Sequence, residues 1–212
     1  MNDLDSLTGP EAVGVLRAAA DAGNVASIVE LGRRLLVGRD APFSPEEGVR
    51  YITRAAERHD AEALNVMATL SGGGVWGVPH SWPRALDYLV AAAEAGSADA
   101  RTQLCLIASD ADGVALARTN GTPDIWSRLR HSVNLETWVT SPPGMQVCEA
   151  PKIWTAENFV SPHLCTWLLS RANGKFKVAQ MRDVVTGTSR VLESRTCSDF
   201  VFDIVEGGVV ML

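Results

Sequence analysis

No cluster of lysine and arginine occurs in the 212 residues, and 19 basic side chains are outnumbered by 25 acidic ones for a net charge of −6. A phosphate backbone is held chiefly by a basic footprint, so this pattern argues against nucleic acid as a partner. The chain also lacks a basic N-terminus followed by an apolar run, and nowhere do 18 apolar residues follow one another. Neither secretion nor membrane insertion is encoded in the usual way, and a cytoplasmic protein with no membrane partner is expected. Cysteine is scarce, and Cys105, Cys148, Cys165 and Cys197 include no CxxC ligand pair. Each is expected to be a small buried hydrophobe, not half of a disulfide.

What is present is enough apolar material, 46% of residues, for a well-buried core in one large or two modest domains. The first half repeats itself. Ala19-Ala20-Asp21-Ala22-Gly23 returns as Ala55-Ala56-Glu57-Arg58-His59 and as Ala92-Ala93-Glu94-Ala95-Gly96, at spacings of 36 and 37 residues. After each break a second apolar stripe begins: Val25, Ile28, Val29 and Leu31, then Ala63, Leu64, Met67 and Leu70, then Ala100, Leu104 and Ile107. These spacings predict one buried face per helix, with Asn24, Asp60 and Ser97 as N-caps. Ser44-Pro45-Glu46-Glu47 predicts a helix start with a reciprocal capping box, and Ser81-Trp82-Pro83 a looser one. Small alanine pairs let helices approach closely, and a thin helical hairpin buries its faces only by stacking on the next. Three stacked antiparallel helix pairs are expected between residues 12 and about 110.

The alanine-rich segments, the following Ala63 and Ala100, and Gly72-Gly73-Gly74-Val75 before Arg84-Ala85-Leu86-Asp87-Tyr88-Leu89 resemble Sel1-like repeats, a tetratricopeptide-related class. The resemblance implies an α-solenoid and a protein or peptide partner. Repeat one departs at Ser27, and the insertion Trp76-Gly77-Val78-Pro79-His80-Ser81-Trp82 lengthens one loop. Trp76 and Trp82 are either partner anchors, as large rigid aromatics often are, or lids folded over the helix ends. His59 and His80 have no second ligand at metal spacing.

Beyond residue 110 the texture changes. Residues 111–136 read as a helical or irregular connecting arm, and Val133, Leu135, Thr137 and Val139 alternate as a strand start. Met145–Glu149 and Lys152–Trp154 read as short strands, and Ser161-Pro162 opens a helix through Leu164, Trp167, Leu168 and Leu169 that leaves at Ala172-Asn173-Gly174. Phe176–Val185 and Val201–Leu212 are rich in β-branched and aromatic residues and read as strands.

Phe159-Val160-Ser161-Pro162-His163-Leu164-Cys165-Thr166-Trp167-Leu168-Leu169, then Ala179-Gln180-Met181-Arg182-Asp183, then Ser194-Arg195-Thr196-Cys197-Ser198-Asp199-Phe200-Val201-Phe202 resemble the front part of prolyl 4-hydroxylase-type iron(II) and 2-oxoglutarate dependent oxygenases. The expected fold class is therefore α plus α/β: an all-α helical-repeat solenoid over 1–110, the arm over 111–136, and over 137–212 a helix and strands like the leading segment of a double-stranded β-helix. For a complete family member the resemblance implies iron(II), 2-oxoglutarate and, as a further candidate, ascorbate, acting on a protein or peptide side chain. It places Arg195 and Thr196 beside the substrate cleft, where Arg195 either orients a peptide or carboxylate or pairs with Glu193, Asp199 or Asp183.

Iron(II) in such sites is held by two histidines and a carboxylate, beginning with His-x-Asp/Glu. His59, His80, His131 and His163 are followed two positions later by Ala61, Trp82, Val133 and Cys165. This chain is therefore assigned no catalytic residue, no metal ligand and no cofactor of its own; the ligands lie beyond residue 212 or are absent. Two functions compete: a catalytically silent segment of a 2-oxoglutarate dependent hydroxylase, and a repeat scaffold for protein contacts. Val209-Val210-Met211-Leu212 either form an exposed strand edge through which the chain self-associates or lie paired between earlier strands.

Overall fold

Each alanine-rich stretch is the end of a helix, and the same turn leads out of it three times. A computed structural model of the chain describes residues 10–108, 123–182, 189–191, 197–202 and 204–209. The first helices are α1 (Pro10–Asp21), α2 (Val25–Val37), α3 (Pro45–Ala56), α4 (Ala61–Gly73), α5 (Trp82–Glu94) and α6 (Ala98–Ile107), with no strand among them. At the ends of α1, α3 and α5 the backbone N–H of Asn24, Asp60 and Ser97 donates five residues back, to the carbonyls of Ala19, Ala55 and Ala92, at 3.0, 3.2 and 2.9 Å. This is the Schellman closure, and it needs a left-handed residue just before the donor. Gly23, His59 and Gly96 stand there, with φ of +91°, +58° and +105°. The donor residue then caps the next helix: Asn24, Asp60 and Ser97 accept from the amides of Ser27, Ala63 and Ala100 at 3.0, 2.9 and 3.1 Å. One polar residue thus ends one helix with its backbone and starts the next with its side chain, a cap contributing about 1 kcal/mol.

Each helix packs against its neighbour in sequence, giving a repeating array of helix pairs. Between α2 and α3 the approach is set by glycine. A Cβ on Gly32 would lie 2.8 Å from Ile52 Cδ1, and one on Gly48 would lie 2.9 Å from the Gly32 carbonyl oxygen. One repeat later the corresponding positions hold Ala68 and Ala85, both fully buried. Polar bonds join successive pairs: Arg17 to Glu47 at 2.5 Å, Arg33 to Glu62, and Arg54 and Arg58 to the Ala20 and Gly23 carbonyls at 2.9 Å each. The last two place cationic groups at the carbonyl end of α1, where the helix dipole favours them.

The capping box expected at Ser44 does not form, for the Ser44 side chain caps no amide. Glu47 instead takes the charged bond to Arg17, which is stronger than a bond to a neutral amide. The connecting arm supplies a further helix, α7 (Pro123–Ser132), packed on α5 and α6. Its Trp126 is buried with the Arg101 guanidinium 5.3 Å from the ring centre, and Arg130 pairs with Asp87 at 2.8 Å. The strand start expected over Val133–Val139 is instead the short helix α8 (Leu135–Val139). Asn134 caps it at the amide of Glu136, and the Trp138 indole N–H donates to the Ile107 carbonyl at 2.8 Å, so these tertiary bonds override the alternating pattern.

The chain divides into two compact units, one holding the helices up to Trp138 together with the segment from Ile204, the other Val139–Phe202. In the second unit β1 (Met145–Glu149) pairs antiparallel with β2 (Lys152–Thr155). Helix α9 (Pro162–Ala172) follows, capped by Ser161 at the amide of Leu164. Two further two-stranded antiparallel sheets pair β3 (Lys177–Val178) with β6 (Ser198–Asp199) and β4 (Gln180–Arg182) with β5 (Ser189–Val191). The strand expected from Phe176 to Val185 is thus two short pieces, its end from Asp183 lying outside the described residues.

The strand expected over Val201–Leu212 is not formed at the described residues. Helix α10 (Ile204–Gly207) takes its place and packs on α2 and α4 of the first unit. Val209 is buried and its N–H donates to Gln103, while Val210–Leu212, the rest of the expected edge, lie outside the described residues. Nor are all four cysteines interior: Cys105 is buried, Cys148 half-buried, and Cys165 and Cys197 are exposed. The exposed pair sits on the second unit, whose thin elements leave little interior. No described helix is long and apolar enough to cross a membrane.

Candidate functional site

The second helices of the three pairs, α2, α4 and α6, share one repeat position occupied by Glu30, Val66 and Gln103. In α6 the capping residue Ser97 fixes the register, which places Asp99 and Gln103 one turn apart on the same face. Gln103 is fully buried. Its Nε2 donates to Asn65 Oδ1 of α4 at 3.0 Å and to Asp99 Oδ2 at 3.1 Å, and Asn65 Nδ2 donates to the same Asp99 oxygen at 3.1 Å. Both amide protons of Gln103 are thereby consumed, and its Oε1 is left as a pre-oriented acceptor. That oxygen accepts the backbone N–H of Val209 at 2.7 Å.

The preceding residue fits for a steric reason. Gly208 has φ +67°, and a Cβ there would come within 2.7 Å of Gln103 Cδ. Conformation and space both demand glycine. Val209 joins the apolar core of the helical unit, and Ile204 and Val205 pack against it. At the α2 side of this seat, Val205 borders a cavity of about 230 Å³ together with Glu30, Arg33, Arg34, Arg39 and Asp40. Arg34 is buried and bonded to Glu30 at 2.5 Å, so a fixed ion pair forms part of the wall. The arrangement can hold a chain segment by its backbone.

Trp76 and Trp82 lie elsewhere. Both are half-buried and pack on the core of the helical unit. Trp76 has φ +52° and meets the exposed Phe43 edge-on at 6.3 Å, whereas Trp82 opens α5 and meets His80 edge-on at 5.7 Å. Each therefore has its own aromatic neighbour. Arg195 and Thr196 lie outside the described residues. Among the described residues no three His, Cys, Asp or Glu side chains converge as a metal-holding group.

Sequence reasoning missed Asn65, Asp99, Gln103 and Gly208. A signal existed in the repeat register: aligning Glu30, Val66 and Gln103 shows polar residues at a position where the middle copy is apolar. Comparison of the chain with protein-family models, with curated proteins and with solved structures gives no match.

Proposed function

We propose that the helical unit is a Sel1-like protein-interaction module whose binding face is formed by α2, α4 and α6. The observation that supports this most directly is the buried Gln103 amide. Its orientation is fixed from two sides by Asn65 and Asp99, and its free oxygen takes a backbone N–H from a residue 106 positions away in sequence. Burying such a group costs free energy unless it is bonded, and here the chain's own Val209 N–H completes the network in the way a bound peptide backbone would. Selection of a displayed peptide library on the 212-residue protein tests the reading. A family of peptides should be enriched on the native protein and lost on Gln103→Leu, with the helical content of the variant unchanged by circular dichroism. Absence of enrichment, or enrichment that ignores Gln103, would overturn it.

A second reading belongs to the other unit and is favoured by its uncovered apolar side chains. Met145, Trp154, Leu169 and Phe176 are exposed, and Val201 is 80% exposed. Such a density of large apolar groups on one small unit calls for a covering layer. We infer that residues 139–202 are the leading segment of an oxygenase-like domain whose remaining strands supply that layer and the iron ligands. The 212-residue chain itself is then silent toward 2-oxoglutarate. The coding sequence after Leu212 tests this: an in-frame His-x-Asp followed by a distant histidine, with iron-dependent succinate formation by the extended protein, supports it. A stop codon directly after Leu212 would remove it.

A further inference from the structure

We propose that the Ile204–Val209 segment is a ligand held in cis on the α2/α4/α6 face, and that the face takes in trans a peptide of the same chemistry: two adjacent aliphatic residues, a two-residue spacer, then glycine followed by an aliphatic residue. The inference rests on the interaction-module reading and adds to it the class of partner and its competitor.

Three features of the seat define that class. The Gln103 oxygen accepts a main-chain N–H, which selects an exposed backbone. Gly208 lies so close to the Gln103 amide that any side chain would collide with it, and its positive φ excludes most L-residues independently. Val209 is 4% exposed and Ile204 and Val205 are half-buried against the same core, so aliphatic groups on both sides of the glycines are read by burial. A backbone bond alone is indifferent to sequence. A glycine-only contact flanked by two apolar seats is selective.

Because the resident segment belongs to the same chain, it competes intramolecularly, at an effective concentration set by the 106 positions that separate Val209 from Gln103. A trans peptide therefore meets a face that is free only in the small fraction of molecules whose own segment has left, and its apparent Kd is raised by the inverse of that fraction. Removing the glycine from the resident segment frees the face without touching the face itself.

The test uses a fluorescein-labelled synthetic peptide with the sequence of residues 203–210 and the whole 212-residue protein. Polarisation should give an apparent Kd at least about 10-fold tighter for Gly208→Val than for the native chain. Adding Gln103→Leu should return binding to the native level or below, and a peptide with valine at the second glycine should not bind. Hydrogen exchange at the Val209 amide should accelerate in Gly208→Val, showing that the resident segment has left. Equal affinity of the native chain and Gly208→Val, despite that acceleration, would overturn cis competition. Failure of the peptide to bind Gly208→Val while library-selected peptides still bind through Gln103 would overturn this ligand class and leave the interaction-module reading intact. Loss of both kinds of binding would remove the two together.

Discussion

Replacing His59 by glycine should make the helical unit more stable. The three helix-pair turns are the same structure, closed by the same backbone bond, yet the left-handed position holds glycine in the first and third copies and histidine in the second. At φ +58° a residue with a Cβ crowds its own carbonyl, at a cost of roughly 1–2 kcal/mol, while glycine is free of that cost. Glycine in turn loses more backbone entropy on folding, which removes roughly 0.5–1 kcal/mol of the gain. A net stabilisation of up to about 1.5 kcal/mol remains, centred near 0.7 kcal/mol, or a rise in Tm of about 1–3 °C at that centre for a chain of this size. The His59 ring is exposed, so its removal forfeits little packing. The reciprocal change isolates conformation from space: a Cβ on Gly96, at φ +105°, would meet nothing within 4 Å, so Gly96→Ala should destabilise by at least about 1 kcal/mol through backbone strain alone. Thermal and urea unfolding followed at the helical band measure both. A lower Tm for His59→Gly, or a neutral Gly96→Ala, would refute the premise that these turns are held in the left-handed conformation.

Two further perturbations probe the same array. Alanine at Gly14 and at Gly48 should act in opposite directions: Gly14 is exposed in α1 with nothing within 4 Å of its would-be Cβ, so helix propensity raises stability by about 0.5–1 kcal/mol. At Gly48 the Cβ would press on the Gly32 carbonyl and Leu36, and overpacking of about 1–3 kcal/mol exceeds that gain; urea midpoints of the two variants decide it. The hydrogen bond from Arg17 holds the Glu47 carboxyl below the ordinary glutamate range. Its stabilising effect should therefore be complete above the unfolded pKa, about 4.3, and disappear as pH falls through the lower folded value. The Tm difference between native chain and Glu47→Gln, followed from neutral pH down to pH 3, should shrink in that acidic window and also fall with added salt; because Arg17 is 43% exposed the difference is small throughout.

The parts of the fold written in the sequence are those decided within one or two turns of chain. Asn24, Asp60 and Ser97 could be named as caps because an N-cap bond spans three residues and depends on little else. The helix pairs followed from the same local signals, as did the β1–β2 ribbon and the Ser161 cap. Where a distant side chain decides, local pattern misleads. Ser44 and Glu47 have the spacing of a capping box, but Arg17, thirty residues earlier, captures the glutamate. Val201–Leu212 has the composition of a strand, yet its Gly208 allows a close approach to Gln103 that no strand propensity anticipates.

Gln103 was the least legible residue. A glutamine within a helical stripe reads as a solvent-facing neighbour of Leu104, and only its two bonds to Asn65 and Asp99 make full burial tolerable. Ala20, Ala56 and Ala93 stay small in all three copies, whereas Arg34 and Arg101 are buried at positions that are apolar in the other two. The position shared by Glu30, Val66 and Gln103 varies as well, although its three side chains sit on equivalent turns of equivalent helices. Packing alone would favour Val66 in all three copies. Glu30 is held by its ion pair with Arg34 and Gln103 by Asn65, Asp99 and the Val209 backbone, so the Gln103→Leu and Gly208→Val pair is the measurement that separates ligand recognition from the stability of the array.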